Sequence, residues 1–505
     1  MKSVHIVTAV LVIGLATAAC SSPPAPHESP TPSDKYSLFL SEAHDRGQFN
    51  GSALVVEDGA VVYHGSFGIG SIDPDAPLDR NSVFRLGSVS KQFTAMGVLI
   101  LQEQGKLTYD QDLRHFIPEL PYAGITVRNL LNHVSGLPDY ESLMVSHWKP
   151  ELDAADRSRY ISGNQDIIDV LTEQQPEVHF EPGERWEYSN TGYVMLATIV
   201  ARASGVPFET FLKEHVFEPA GMTQTVVYDY VLGDDESMPD RVYGYRTSLD
   251  GAQRVSNDSH FLNFAQGDGG VYSTLDDLAS WDRILYTETL VSRGTLEEAF
   301  TPAVLNDGET TDYGFGWSVG QSLSGKKAVS HGGGWVGFRT YIHREIEDDR
   351  CIVVLTNNST KFLGGIVDGL IQLLHDQPAE LPRLSLIDAL GKVVLTDGVD
   401  QARLDYAELK ADRPDDYVFR ERELNNLGYQ LLGQGHVNEA VGIFRLNQEE
   451  YPESANCYDS LAEGLLAQGD AAGALQNYKK ALSMDDSLES ARRKIEELEG
   501  AAGAA

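Results

Sequence analysis

Three short stretches hold the residue types that acyl transfer needs. The first is RLGSVSKQF, residues 85–93, where Ser88 and Lys91 stand three apart at the mouth of an apolar run containing Met96, Val98, Leu99, Ile100 and Leu101. A serine hydroxyl is a weak nucleophile and needs a neighbouring base. Lysine supplies one where burial and adjacent polar or positive groups hold its amine neutral; where it stays charged, it stabilises a phenolate instead. Residues three apart on a helix share a face, and a helix N-terminus favours negative charge developing on the serine oxygen. The second stretch is YSN, Tyr188–Asn190, and the third is HGGG, His331–Gly334.

Each stretch alone has a plain structural reading. Ser88 could cap a helix, Lys91 could snorkel, Tyr188 could be a core tyrosine and His331 a turn histidine. Ser-x-x-Lys also occurs at Ser146/Lys149 and Ser324/Lys327. Pro150 disfavours helical continuation beyond the former, and Gly325 puts the latter in a turn, so only Ser88/Lys91 opens a long apolar helix. Tyr188–Asn190 is the one Tyr-x-Asn in the chain. HGGG also occurs as the oxyanion loop of α/β-hydrolases, but their nucleophile sits in Gly-x-Ser-x-Gly, which this sequence lacks.

The elements that must position these residues are legible in outline. A helix is expected from about Tyr36 to Arg46. The strands around Asp58-Gly59 read as a hairpin. Residues 83–300 are mainly helical in pattern. Strands return in KAVSHGGGWVGFRTYIHREIEDDRCIVVLTN, with HGGG expected between two of them, and LGGIVDGLIQLLHDQ is again helical. The simplest assembly is α+β. The early hairpin and the late strands form one antiparallel sheet flanked by helices, and the middle forms a helical lobe. The cleft between sheet and lobe is a natural ligand site.

The order Ser-x-x-Lys, Tyr-x-Asn, His-Gly-Gly, with separations of 100 and 143 residues, resembles the serine β-lactamase and DD-peptidase superfamily. The likeness is greatest to class C β-lactamases and their esterase and D-aminopeptidase relatives. LLNHVSGLPDY, PGERWEYSNTGYVMLATIVARASG, EPAGMTQT, GDGGVYSTLDDLASW and YGFGW extend it over about residues 36–376. The resemblance implies a nucleophile at Ser88, a proton partner at Lys91 and a general base at Tyr188 that later protonates the leaving group. It implies that Asn190 bonds Lys91 and the substrate amide. The oxyanion hole would use the backbone N–H groups of Ser88 and Gly334, while Gly332 and Gly333 let substrate lie close to the strand. His331 departs from the lysine of class C β-lactamases; histidine is mostly neutral at neutral pH, which weakens the case for efficient β-lactam turnover. No metal and no cofactor is implied. The expected activity is hydrolysis of an amide or ester bond through an acyl-enzyme, in a D-amino-acid peptide, a carboxylic ester or a β-lactam. The alternative is a penicillin-binding-like sensor with little turnover that signals through its C-terminal region.

That region has a period of 34 residues: Leu427, Gly435, Ala440 and Phe444 recur as Leu461, Gly469, Ala474 and Tyr478. This is the tetratricopeptide period, a helix–turn–helix unit. Ala402, Tyr406 and Pro414 suggest a weaker preceding copy, and Leu488–Leu498 a capping helix.

The remaining features bound the setting. With 39 basic and 75 acidic residues, the net charge of −36 argues against nucleic acid. Cys20, Cys351 and Cys457 match no metal-ligand or redox spacing. Lys2 precedes an apolar run, Val4–Ala16, that is short for a membrane span and reads as a secretory signal. LATAAC resembles a bacterial lipoprotein signal that would place lipid on Cys20; Thr17 departs from that pattern, and ordinary cleavage after Ala18 is the alternative. The expected organisation is a signal at 1–19, a proline-rich tether at 20–34, the hydrolase at 35–376 and the helical repeats at 377–500. The protein is then exported to a bacterial envelope and touches membrane only through a lipid anchor. Its partners are a small-molecule or peptide substrate and, through the repeats, a protein.

Overall fold

A computed structural model describes residues 32–73, 75–148, 162–228, 238 and 240–504. The leader, Cys20, Pro23–Pro30 of the tether and Lys149 lie outside the described residues.

The first helix, α1 (Pro32–Asp45), begins before the expected Tyr36, with proline in its first turn, where a missing N–H costs nothing. β1 (Gly51–Glu57) and β2 (Ala60–Phe67) follow. Asp58 and Gly59 join them, with φ of 49° and 75°; two left-handed residues match the right-handed twist of the flanking strands. Late in the chain come β3 (Ser318–Gln321), β4 (Lys327–Trp335), β5 (Phe338–Glu345) and β6 (Arg350–Thr356). All six form one antiparallel sheet in the order β3-β4-β5-β6-β1-β2. HGGG therefore lies inside β4 and not between two strands.

The central strands β1 and β6 are apolar on both sides, because both faces are covered there. Ala53, Val55, Ile352 and Val354 pack with Tyr36, Leu40, Ile366 and Leu370 of α1 and α4, the latter spanning Leu363–Leu374. Leu54, Val56, Val353 and Leu355 join the larger core of the helical lobe. Two helices of that lobe reach the cleft: α2 (Lys91–Glu103) and α3 (Asn190–Ser204). Ser88 sits just before α2, in a single 3₁₀ turn, Gly87–Ser90.

The C-terminal region is all helical and has its own core. α5 (Leu386–Thr396) and α6 (Val399–Asp412) precede α7 (Glu421–Gly433), α8 (Val437–Glu450), α9 (Ala455–Gln468), α10 (Ala471–Met484) and α11 (Glu489–Ala504). The α7/α8 pair recurs as α9/α10 at the expected period, and Leu427, Phe444, Leu461 and Tyr478 fill the seam. A side chain at Gly428 would collide with the Phe444 ring, so the paired helices meet at a glycine. α5 and α6 form a looser preceding pair, with Ala402 and Tyr406 buried.

α5 also docks on the rest of the protein. Leu249, at the turn between the short strands Tyr245–Thr247 and Arg254–Ser256, packs on Gly391. A Cβ there would stand 2.5 Å from Leu249 Cδ1 and 2.9 Å from its carbonyl oxygen. A chain ending at residue 378 should therefore uncover Leu249 and aggregate more readily, yet keep turnover per titrated active site within about tenfold of the full chain. Soluble, correctly acylated truncate that is slower by about a hundredfold would show that the helical region contributes to the site.

Candidate active site

The turn that carries Ser88 is pressed against β4 by glycines. The short strand Phe84–Arg85 pairs with Val271–Ser273 and delivers the chain to the cleft. Gly87 has φ of 54°, a conformation that costs glycine little. A Cβ on Gly87 would lie 2.7 Å from Gly334 N, and one on Gly333 would collide with Leu86 O and Thr340 Oγ1. Thr340 Oγ1 donates to Leu86 O at 2.6 Å and pins the turn. Ser88 and Gly334 thereby face one another across glycine backbone.

Lys91 is fully buried. Its Nζ contacts Ser88 Oγ at 3.1 Å, Asn190 Oδ1 at 2.9 Å and Asp268 O at 2.9 Å, and it lies 4.8 Å from the centre of the Tyr188 ring. The latter two oxygens can only accept, so two N–H donors are committed to them. The remaining direction faces a hydroxyl, which can accept from an ammonium or donate to an amine. Asn190 opens α3, and its Nδ2 donates to Glu141 Oε1 at 3.1 Å, which turns the amide oxygen toward Lys91.

The imidazoles beside the lysine are neutral. His133 packs against Tyr188 with ring centres 4.3 Å apart and the rings tilted by 37°, and its Nδ1 accepts from the Ser189 N–H at 3.2 Å. Burial first, then the charge of Lys91, pushes it well below the ordinary histidine range. His331 points inward from β4 and is 6% exposed. Its Nδ1 donates to Gly332 O at 2.7 Å and its Nε2 accepts from the Tyr313 hydroxyl at 2.8 Å. Burial, then Lys91, pushes it down to about 3.

A cleft opens beside Ser88, with Arg85, Glu141, Asn190, Gly334 and Trp335 among its walls. Of the residues singled out in the sequence, Ser88, Asn190 and Gly334 line it, while His331 is turned onto Tyr313. Burial pushes the Glu141 carboxyl up to about 7, helped by Asp139 and Asp268 and opposed by Lys91 and Asn190. Asp268 is raised too, mainly by burial, and accepts from the Tyr140 hydroxyl at 2.9 Å. The Tyr188 hydroxyl makes no hydrogen bond among the described residues.

The other Ser-x-x-Lys serines serve elsewhere. Ser146 Oγ bonds Ser142 O at 3.0 Å. Ser324 bonds Ser322 and Asp348, and Lys327 pairs with Glu297 at 2.6 Å. Among the described residues no cluster of three or more His, Cys, Asp or Glu side chains is placed to hold a metal ion. Sequence reasoning missed Arg85, His133, Glu141, Asp268 and Tyr313. All five lie in or beside stretches already quoted, Arg85 in RLGSVSKQF and Asp268 in GDGGVYSTLDDLASW, but residue type alone gave them no role, and Asp268 acts on Lys91 through a backbone carbonyl that leaves no trace in residue type.

A family model described as Beta-lactamase matches residues 39–374. The chain is 40% identical over 352 residues to penicillin-binding protein 4* of Bacillus subtilis, covering 68% of this chain and 75% of that protein. It is 27% identical over 313 residues to a D-aminopeptidase of Gluconobacter oxydans, covering 61% of this chain and only 55% of the relative. The octameric penicillin-binding protein homologue from Pyrococcus abyssi has a similar structure, with a TM-score of 0.59 and 27% identity over 69% of this chain and 79% of that one.

The Glu141 carboxyl yields a pH test. Its folded value of about 7 lies above the ordinary carboxylate value of about 4.3, so the folded state binds more protons across that interval. Stability is therefore lost as pH rises through it. Glu141→Gln keeps an acceptor for Asn190 and removes the titration. Its melting temperature relative to wild type should rise by a few degrees between about pH 5 and about pH 8. A difference that stays flat in thermal melts would show that this carboxyl titrates normally.

Proposed function

The chain belongs to the beta-lactamase family, and from that premise we propose that it is a serine hydrolase that cleaves an amide or ester bond through an acyl-enzyme on Ser88. The observation that carries this reading is Lys91, buried and bonded to Ser88 Oγ beside the Tyr188 ring. The Ser88 proton passes to the Tyr188–Lys91 pair as Oγ attacks the substrate carbonyl. The backbone N–H groups of Ser88 and Gly334 receive the oxyanion; such fixed donors act where charge develops. Tyr188 returns the proton to the leaving nitrogen or oxygen, and the carbon–leaving-group bond breaks. Water then attacks the ester, gives up its proton by the same route and releases the acid.

Among substrates we favour peptides and amides of D-amino acids. The named relatives, a penicillin-binding protein and a D-aminopeptidase, support this class. A neutral His331 supports it as well, because it leaves the third motif without the cation that class C β-lactamases have there. We also place the protein outside the cytoplasm, held by lipid on Cys20; a Cys20→Ser chain should move from the detergent phase to the aqueous phase on partitioning.

The central test is turnover of D-aminoacyl amides, carboxylic esters, β-lactams and small amides, with Ser88→Ala as control. A fluorophosphonate should label Ser88, located by peptide mass spectrometry; an adduct on Ser146 or Ser324 refutes the assignment. Tyr188→Phe should fold normally and lose about 10²–10⁴-fold in kcat. Near wild-type rates would remove Tyr188 from the mechanism. A stoichiometric burst without turnover on every class would mark a sensor.

A further inference from the structure

Arg85 is a buried cation with one bare corner. It is 2% exposed. Its Nε donates to Gly269 O at 3.2 Å and its Nη2 to Asn263 O at 3.3 Å. The guanidinium lies near two rings, 5.7 Å from the centre of Tyr272 and 5.3 Å from that of Trp335. Nη1 has no hydrogen-bond partner among the described residues, and no carboxylate there forms an ion pair with it. An arginine stays charged in any protein environment, and a buried unpaired donor needs an explanation.

The position of Arg85 supplies one. It shares the walls of the cleft with Ser88 and Gly334, the nucleophile and the second oxyanion donor. Tyr188, which protonates the leaving group, is not on those walls, so the cleft takes the other half of the substrate, the acyl group. Of the carboxyls nearby, Asp268 accepts from Tyr140 and lies within the field of Arg85, and Glu141 accepts from Asn190. Lys91 faces Ser88 and two acceptors, and His331 is neutral. Arg85 is thus the permanent cation on this wall. Asn263 holds the wall in place, because its side-chain oxygen accepts from Trp335 Nε1 at 2.6 Å and its carbonyl receives Arg85.

Resting on the reading of Ser88 as nucleophile, we propose that Arg85 is a specificity residue whose Nη1 binds a carboxylate carried on the acyl portion of the substrate. Within the D-amino-acid class favoured above, the preferred substrates are amides or esters whose acyl residue bears such an anion, as a D-glutamyl side chain does. The contact is charge-assisted, and one guanidinium corner fixes the orientation of the bound oxygen.

The test compares para-nitrophenyl hemiglutarate with para-nitrophenyl hexanoate, acyl groups of similar size that differ in a terminal carboxylate. Rates are taken per active site titrated with a fluorophosphonate, with Ser88→Ala subtracted. The full chain should favour the hemiglutarate in kcat/KM. Arg85→Gln should lower that preference by about 10–100-fold, the span for losing a hydrogen bond to a charged group, chiefly through KM, and Arg85→Lys should restore part of it. An unchanged ratio in Arg85→Gln overturns the proposal. So does a full chain that prefers the hexanoate, or that prefers an alanyl ester over the hemiglutarate, since Glu141 and Asp268 would then govern the cleft. If Arg85→Gln does not fold, protection of Ser88 in the full chain is read instead: free glutarate should slow labelling where hexanoate does not, and equal protection or none overturns the proposal. A chain with no label on Ser88 and no turnover of either ester fails the serine-hydrolase reading itself. A labelled chain with an indifferent ratio fails only the role given to Arg85.

Discussion

Burying the amine of Lys91 is the constraint on which the rest of the site depends. A lysine removed from water needs acceptors in the interior, and losing one partner of a buried charge costs about 3–5 kcal/mol. Here the three acceptors come from separate parts of the chain: the Ser88 turn, the start of α3 and the carbonyl of Asp268. The segment carrying Asp268 is threaded between helices. Thr94 of α2 donates to Gly267 O at 2.7 Å, Ser90 Oγ accepts from Val271 N at 3.0 Å, and a side chain at Gly267 would collide with Tyr193 and Ala197 of α3. The site thus forms only when sheet, lobe and this segment are already assembled.

The charge states around the lysine follow first from burial and then from its presence. Two imidazoles within its field are neutral, because burial disfavours their charged form and Lys91 adds to that effect. Two carboxyls are held up by burial and drawn back by the same lysine. The net charge of −36 over the whole chain has little part in this, since exposed charges are screened beyond about 8 Å at physiological salt. Local geometry, rather than overall acidity, decides what enters the cleft.

The sequence made the candidate trio Ser88, Lys91 and Tyr188 legible because the roles proposed for it belong to side-chain types at fixed spacing. It also made the hairpin at Asp58-Gly59 legible, since only residues tolerant of positive φ suit that turn, and the repeat period, since each helix pair must bury the same seam. It misled at HGGG. A glycine cluster reads as a turn, but Gly333 is needed inside β4 so that Leu86 and Thr340 can come close. Nothing in composition could reveal that Asp268 serves Lys91 through its carbonyl, or that Arg85 ends on the cleft wall, because both depend on which distant segments the fold brings together. The docking of Leu249 on Gly391 is hidden for the same reason.

That docking touches the cleft through one short segment. Gly244 N, at the base of the strand pair that carries Leu249, donates to Asp258 Oδ1 at 2.9 Å. Asn263 Nδ2 donates to Asp258 O at 2.9 Å, and Asn263 in turn holds Trp335 and Arg85. A run of hydrogen bonds therefore extends from Gly244, at the base of that strand pair, to the wall with Arg85, while the strand pair meets α5 by the packing of Leu249 on Gly391. Contiguity alone is not coupling, which needs an element with two arrangements that both ends bias. What the contacts do establish is a division of support. The Lys91 cluster is anchored by α2, α3 and β4, whereas the wall with Arg85 is braced by the strand pair on which the helical region rests. A disturbance at the Leu249–Gly391 contact should therefore reach the choice of acyl group before it reaches the proton transfer.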